Sequence, residues 1–159
     1  MNINFEKAKI TDFVEIHDVM QISANEISKK DYHNEVRKIF NQYYNARKPE
    51  YIKQTLEDPN NFTIVAKSGE KIIGFIQLET KNEIGTINFL YMLPGFEGKS
   101  IGTQLFYIIK KKALEMSMSK LFVESTLNAV TYYEKLGFIN KGRISDNSAY
   151  NLEMNLNRV

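Results

Sequence analysis

The chain of 159 residues has no cysteine, no tryptophan and only three prolines. Without cysteine there is no disulfide framework, no thiolate nucleophile and no cysteine-based metal site. No apolar run approaches the roughly 20 residues that a membrane span requires. The first ten residues, MNINFEKAKI, lack the apolar core of a signal peptide. An excess of one charge is also missing: 21 Lys and Arg against 19 Asp and Glu leave a net charge of +2. So small a net charge argues for neither nucleic acid nor a membrane as a partner. What is present is ordinary globular composition, 43% hydrophobic and 25% charged. The length suits one domain over residues 1–159 with a core of its own. A soluble, cytoplasmic protein is the expectation.

Periodicity gives the order of elements. INFEKAKI (3–10) alternates and reads as a strand. In TDFVEIHDVMQIS, Phe13, Ile16, Val19 and Met20 share one helical face behind a Thr11 or Asp12 cap. DYHNEVRKIFNQYY has Tyr32, Val36, Ile39, Phe40 and Tyr43 at helical spacing, and Pro49 opens a further short helix, PEYIKQTLE. FTIVAK and KIIGFIQLET read as a hairpin turned by SGE, and KNE turns the chain again into IGTINFLYML. IGTQLFYIIKKKALEM is an amphipathic helix with Ile101, Leu105, Ile108, Ile109 and Ala113 or Leu114 inward. The strand KLFVEST, the short helix NAVTYYEKL stopped at Gly137, and the strands FINKGRI and AYNLEMNL complete the chain. The fold class is α/β (α+β): one domain on a mixed, mostly antiparallel central sheet flanked by helices, with one β-α-β crossover.

The loop GFEGKS (95–100) raises the question of a ligand, because Gly98-Lys99-Ser100 matches the end of a P-loop. That motif needs its first glycine at position 93, where the chain has Leu93, and a loop shorter by two residues cannot wrap a nucleotide phosphate in the same way. A phosphate site of another kind remains. The loop runs into a long helix whose first N–H groups lack partners and whose dipole favours an anion. Gly98 and Gly102 allow close approach, Lys99 adds charge, and Ser100 and Thr103 add hydroxyls. A helix cap at Ser100 explains the loop equally well.

A second stretch, STLNAVTYYEKLGF (125–138), decides between them. With its Tyr-Tyr-x-x-x-Gly-Phe it resembles the closing motif of the GNAT family of N-acetyltransferases. The same family carries V-x-P-x-[YF]-[QR]-G-x-G-[IVL]-G between a strand and a long helix, and Met92 to Gly102 is similar to it. The two motifs stand in the family's order, about thirty residues apart, and the resemblance covers roughly residues 62–140. Glu97 replaces the usual Gln or Arg, and Ser100 replaces a glycine.

The resemblance implies acetyl transfer from acetyl-CoA to an amine, with acetyl-CoA as co-substrate and no metal. It implies a splayed strand pair that forms the acyl-CoA cleft. The backbone of Leu90, Tyr91, Met92 and Leu93 would pair with the pantetheine arm. Gly98, Lys99, Ser100, Ile101, Gly102 and Thr103 would cradle the pyrophosphate, and Asn128 and Tyr133 would line the opposite wall. Tyr133 matches the position that serves the leaving sulfur, which leaves Tyr132 as the core aromatic of the pair. Where many members carry a carboxylate base, this chain has Asn88, which takes no proton; Glu79 and Glu124 are the candidate bases. His17 and His33 read as surface residues, and Lys110–Lys112 as a solvated face near a helix C-terminus. The acceptor is a small amine, a peptide N-terminus or a lysine side chain, framed by residues 23–51, and the assembly is a monomer or homodimer. An acyl-CoA-binding domain without catalysis is the alternative on the same fold.

Overall fold

The computed structural model describes residues 1–31, 47–144 and 149–156. Strands are β1 (Ile3–Lys7), β2 (Asn61–Ser68), β3 (Lys71–Lys81), β4 (Ile84–Met92), β5 (Lys120–Thr126), β6 (Ile139–Arg143) and β7 (Ala149–Asn155). Helices are α1 (Phe13–Asp31), α2 (Pro49–Glu57), α3 (Ile101–Glu115) and α4 (Val130–Lys135), with short 3-10 turns ahead of α1 and α4. The expected helix through Tyr32 and Tyr43, and His33 with it, lie outside the described residues.

The seven strands form one sheet in the order β1-β2-β3-β4-β5-β7-β6. Every pairing is antiparallel except β4 with β5, which α3 connects as the crossover. β3 is buried along nearly its whole length, from Ile72 to Leu78, because helices cover both of its faces. On one face Tyr51 and Thr55 of α2 meet Phe89 and Gln77. On the other, Lys112 of α3 lies over Phe62, the neighbour of Thr63 in the alternation of β2.

The helical faces follow their periodicity. Ile16, Val19 and Met20 of α1 are buried, as are Ile101, Leu105, Ile109 and Ala113 of α3; Ala113, not Leu114, fills the last inward position. His17 departs from expectation. It is 8% exposed, and its Nε2–H donates to the Arg47 carbonyl at 2.7 Å. The carbonyl can only accept, so the proton stands on Nε2. Among the described residues no helix is long and apolar enough to cross a membrane.

Candidate active site

The parallel pairing of β4 with β5 runs only from Ile84 opposite Lys120 to Ile87 opposite Val123. It stops where β4 carries one extra residue. Against β3, Leu78 faces Ile87 and Gln77 faces Phe89, so Asn88 is a bulge. A bulge bends its strand and increases the local twist. β5 continues beside β7 as far as Thr126, while β4 turns away. The wedge between them is a cleft of about 100 Å³, lined among others by Asn88, Leu90, Tyr91, Glu124, Asn128 and Tyr133. Beyond Ile87, β4 no longer pairs with β5, and a strand edge of this kind is one that an extended, amide-bearing ligand can pair with.

A second hollow of about 190 Å³ shares Leu90, Tyr91 and Asn128 and extends to Ser23, Glu26 and Glu97. The Ser23 hydroxyl donates to the Met92 carbonyl and ties α1 to the end of β4.

The loop after β4 ends in a left-handed turn. Gly98 has φ +73° and Ser100 φ +59°. Ser100 precedes α3, yet its side chain makes no capping bond; its carbonyl accepts from Gln104 N–H at 3.0 Å. The capping explanation of this serine therefore fails. Its left-handed backbone costs about 1 kcal/mol, which glycine would avoid. The N–H groups of Ile101, Gly102 and Thr103 belong to a first helical turn and have no carbonyl to meet. A Cβ built on Gly98 would meet nothing within 4 Å. Open backbone donors beside a left-handed turn form an anion cradle, so these residues fit a pyrophosphate. Glu97 does not lie over them. Its carboxylate folds back to accept the Gly95 N–H at 2.8 Å. Lys99 Nζ rests 5.7 Å from the centroid of the Phe96 ring.

The adjacent tyrosines depart from the expectation in burial: Tyr133, not Tyr132, is the core aromatic of the pair. Tyr133 is buried at 6% exposure, with Phe138 and Tyr132 edge-on to its ring at 5.5 and 5.4 Å. It still lines the cleft, and burial pushes its phenol well above the ordinary tyrosine value. Tyr132 is only half-buried. Its hydroxyl lies 3.2 Å from Thr103 Oγ1 and would stand 3.5 Å from a Cβ on Gly102, so it links α4 to the first turn of α3.

The two candidate bases are separated. Glu124 is exposed and lines the cleft. Glu79 does not line it, but its Oε2 lies 3.4 Å from Asn88 Nδ2. The sequence reading missed Gln77, which is 1% exposed and bonded to Thr55 and Thr63. Its signal was a lone amide in the apolar strand KIIGFIQLET. Among the described residues no cluster of three or more His, Asp or Glu side chains could hold a metal ion.

A family model described as "Acetyltransferase (GNAT) domain" matches residues 17–150. No curated protein sequence matches the chain significantly. Among solved structures, the PaiA N-acetyltransferase of Thermoplasma acidophilum in complex with coenzyme A superposes with TM-score 0.84 at 19% identity, over 98% of this chain and 99% of that one. The ribosomal-protein-S18-alanine N-acetyltransferase of Escherichia coli gives 0.74 at 11% identity, over 99% and 96%. An aminoglycoside 6'-acetyltransferase type Ii gives 0.77 at 13% identity, over 98% and 99%.

Proposed function

The chain belongs to the GNAT acetyltransferase family, and from that premise we propose that it transfers an acetyl group from acetyl-CoA to a primary amine by direct attack. The observation that carries this reading is the splay at Asn88, which opens the β4 edge beside the cradle and in front of Tyr133. In this reading the N–H groups of Gly98, Lys99, Ser100, Ile101, Gly102 and Thr103 hold the pyrophosphate, the backbone of Leu90 to Leu93 holds the pantetheine amides, and Asn128 stands on the facing wall. Bound acetyl-CoA supplies the thioester that makes the acyl group reactive.

Tyr133 supplies the proton. Desolvation keeps its phenol protonated far above neutral pH, so it is a donor aimed at the cleft rather than a base. As the amine nitrogen bonds the carbonyl carbon and the carbon–sulfur bond breaks, the departing thiolate takes that proton. The surplus proton of the amine leaves through Glu124, which faces the cleft, or through Glu79 behind Asn88, and solvent returns a proton to the phenol. Single-domain organisation over 1–159, a cytoplasmic location and a monomer or homodimer complete the reading. An alanine of ribosomal protein S18 and an aminoglycoside are named for two structural neighbours. A small amine, a peptide N-terminus and a lysine side chain all present this site with the same reacting group.

The alternative, an acyl-CoA-binding domain without turnover, draws on Asn88, which cannot accept a proton, and on the strained Ser100. Thiol release from acetyl-CoA with a panel of primary amines separates the two. Amine-dependent release is expected, whereas binding of acetyl-CoA with no release across the panel would favour the alternative.

A further inference from the structure

Asn88 stands at the point where β4 leaves β5, and its side chain takes part in a chain of hydrogen bonds with a definite direction. The Thr55 hydroxyl of α2 donates to the Ile52 carbonyl at 2.8 Å. Its proton is thus committed, and its oxygen accepts from Gln77 Nε2–H at 2.9 Å. The same nitrogen donates to Thr63 Oγ1 at 3.1 Å. Gln77 is therefore fixed with its carbonyl oxygen toward β4. Asn88 Nδ2 faces that oxygen at 3.5 Å and Glu79 Oε2 at 3.4 Å.

These last two contacts are long, but they decide which way the Asn88 amide lies. A carboxylate and an amide oxygen only accept. Turned over, Asn88 would point its own oxygen at two oxygens that cannot donate. In the observed orientation Nδ2 is engaged, and Oδ1 accepts no hydrogen bond from any described residue. Asn88 also lines the cleft. A hydrogen-bond acceptor, exposed to solvent and favoured in this polarity by both contacts, thus stands where the strand pair opens.

We propose that Asn88 orients the acceptor: its amide oxygen accepts a hydrogen bond from an N–H of the attacking amine, and Gln77, Thr55 and Thr63 hold it in that polarity. This deepens the reading of an amine acetyltransferase and rests on it. A neutral primary amine has one lone pair to attack with and N–H groups to spare. Anchoring one N–H aims the lone pair at the carbonyl carbon. As positive charge grows on the nitrogen during attack, its N–H becomes a stronger donor, so the contact strengthens toward the transition state. Asn88 serves this purpose without taking a proton, which leaves proton removal to another group.

The test measures kcat and KM for the best primary amine of a panel made of an alkylamine, a peptide with a free N-terminus and an Nα-blocked lysine. Acetyl-CoA affinity and melting temperature are measured on the same proteins. Asn88→Ala should lower kcat/KM for the amine by about tenfold or more, the scale of a hydrogen bond to a charging group, and leave acetyl-CoA affinity within about twofold and melting unchanged. Thr55→Val, in α2, should move kcat/KM for the amine in the same direction by a smaller factor. An unchanged amine kcat/KM in Asn88→Ala, or an equal loss of acetyl-CoA affinity, overturns the proposal while leaving the acetyltransferase reading intact. A Thr55→Val variant with wild-type kinetics overturns the part given to the relay. A wild-type protein that releases no thiol with any amine overturns both readings.

Discussion

Replacing Tyr133 by phenylalanine removes one oxygen from the cleft wall and little else. The ring is 6% exposed and meets Phe138 and Tyr132 edge-on, contacts that phenylalanine keeps. The phenol makes no hydrogen bond to a described residue, so its removal orphans no buried partner. The change in folding stability should then stay within about 0.5 kcal/mol, the range of a substitution that disturbs no packing or pairing. The effect on rate is of another size. Loss of a positioned acid lowers turnover by about 10²-fold, or about 2.7 kcal/mol in barrier height. That gap separates a chemical role from a packing one. Thiol release at saturating acetyl-CoA and amine reads the rate, calorimetry reads acetyl-CoA affinity, and urea denaturation reads stability. A Tyr133→Phe protein working at the wild-type rate would refute the assignment, with water left as the proton source. A fall in rate matched by equal losses of affinity and stability would make Tyr133 a packing residue.

Gly102→Glu places a carboxylate in the first turn of α3, where a Cβ meets only the Tyr132 hydroxyl at 3.5 Å. The protein should fold, and acetyl-CoA affinity by calorimetry should drop at least about tenfold, roughly 1.4 kcal/mol; unchanged affinity would remove the cradle. Glu97→Gln should leave that affinity nearly constant, because the side chain is turned back onto Gly95 and an amide oxygen can accept the same N–H. A large gain would mean that the carboxylate acts on the anion site after all. The alkaline limb of stability gives a further test. Burial raises the Tyr133 phenol above its usual value, so the folded state keeps a proton that the unfolded chain releases above about pH 10. Its contribution is complete below that pH and is lost as pH rises, by about 1.4 kcal/mol per unit. Urea midpoints measured from about pH 9 upward should fall less steeply in Tyr133→Phe than in wild type, and identical slopes would contradict the burial.

Local pattern was enough for much of this molecule. KLFVEST is β5 from its first residue to its last, and PEYIKQTLE is α2, because alternation and a proline at a helix start act within a few residues. His17 was read as a surface residue and is buried, although with Phe13, Ile16 and Met20 it completes the i, i+3, i+4, i+7 spacing of an inward face. The open backbone donors at the first turn of α3 were readable, since orphan N–H groups belong to any helix start. Other features depend on partners far away in the chain. INFLY carries no mark of a bulge, and the splay exists only because β3 pairs around Asn88 while β5 stays with β7. Adjacent tyrosines on a helix of six residues offer too short a period to tell which points inward; the docking of α4 against Phe138 buries Tyr133 and leaves Tyr132 facing Thr103. The polarity of Asn88 was furthest from view. It is set by hydroxyls on α2 and β2: strand pairing places Thr63 beside Gln77, and packing α2 against the sheet brings Thr55 to the same glutamine.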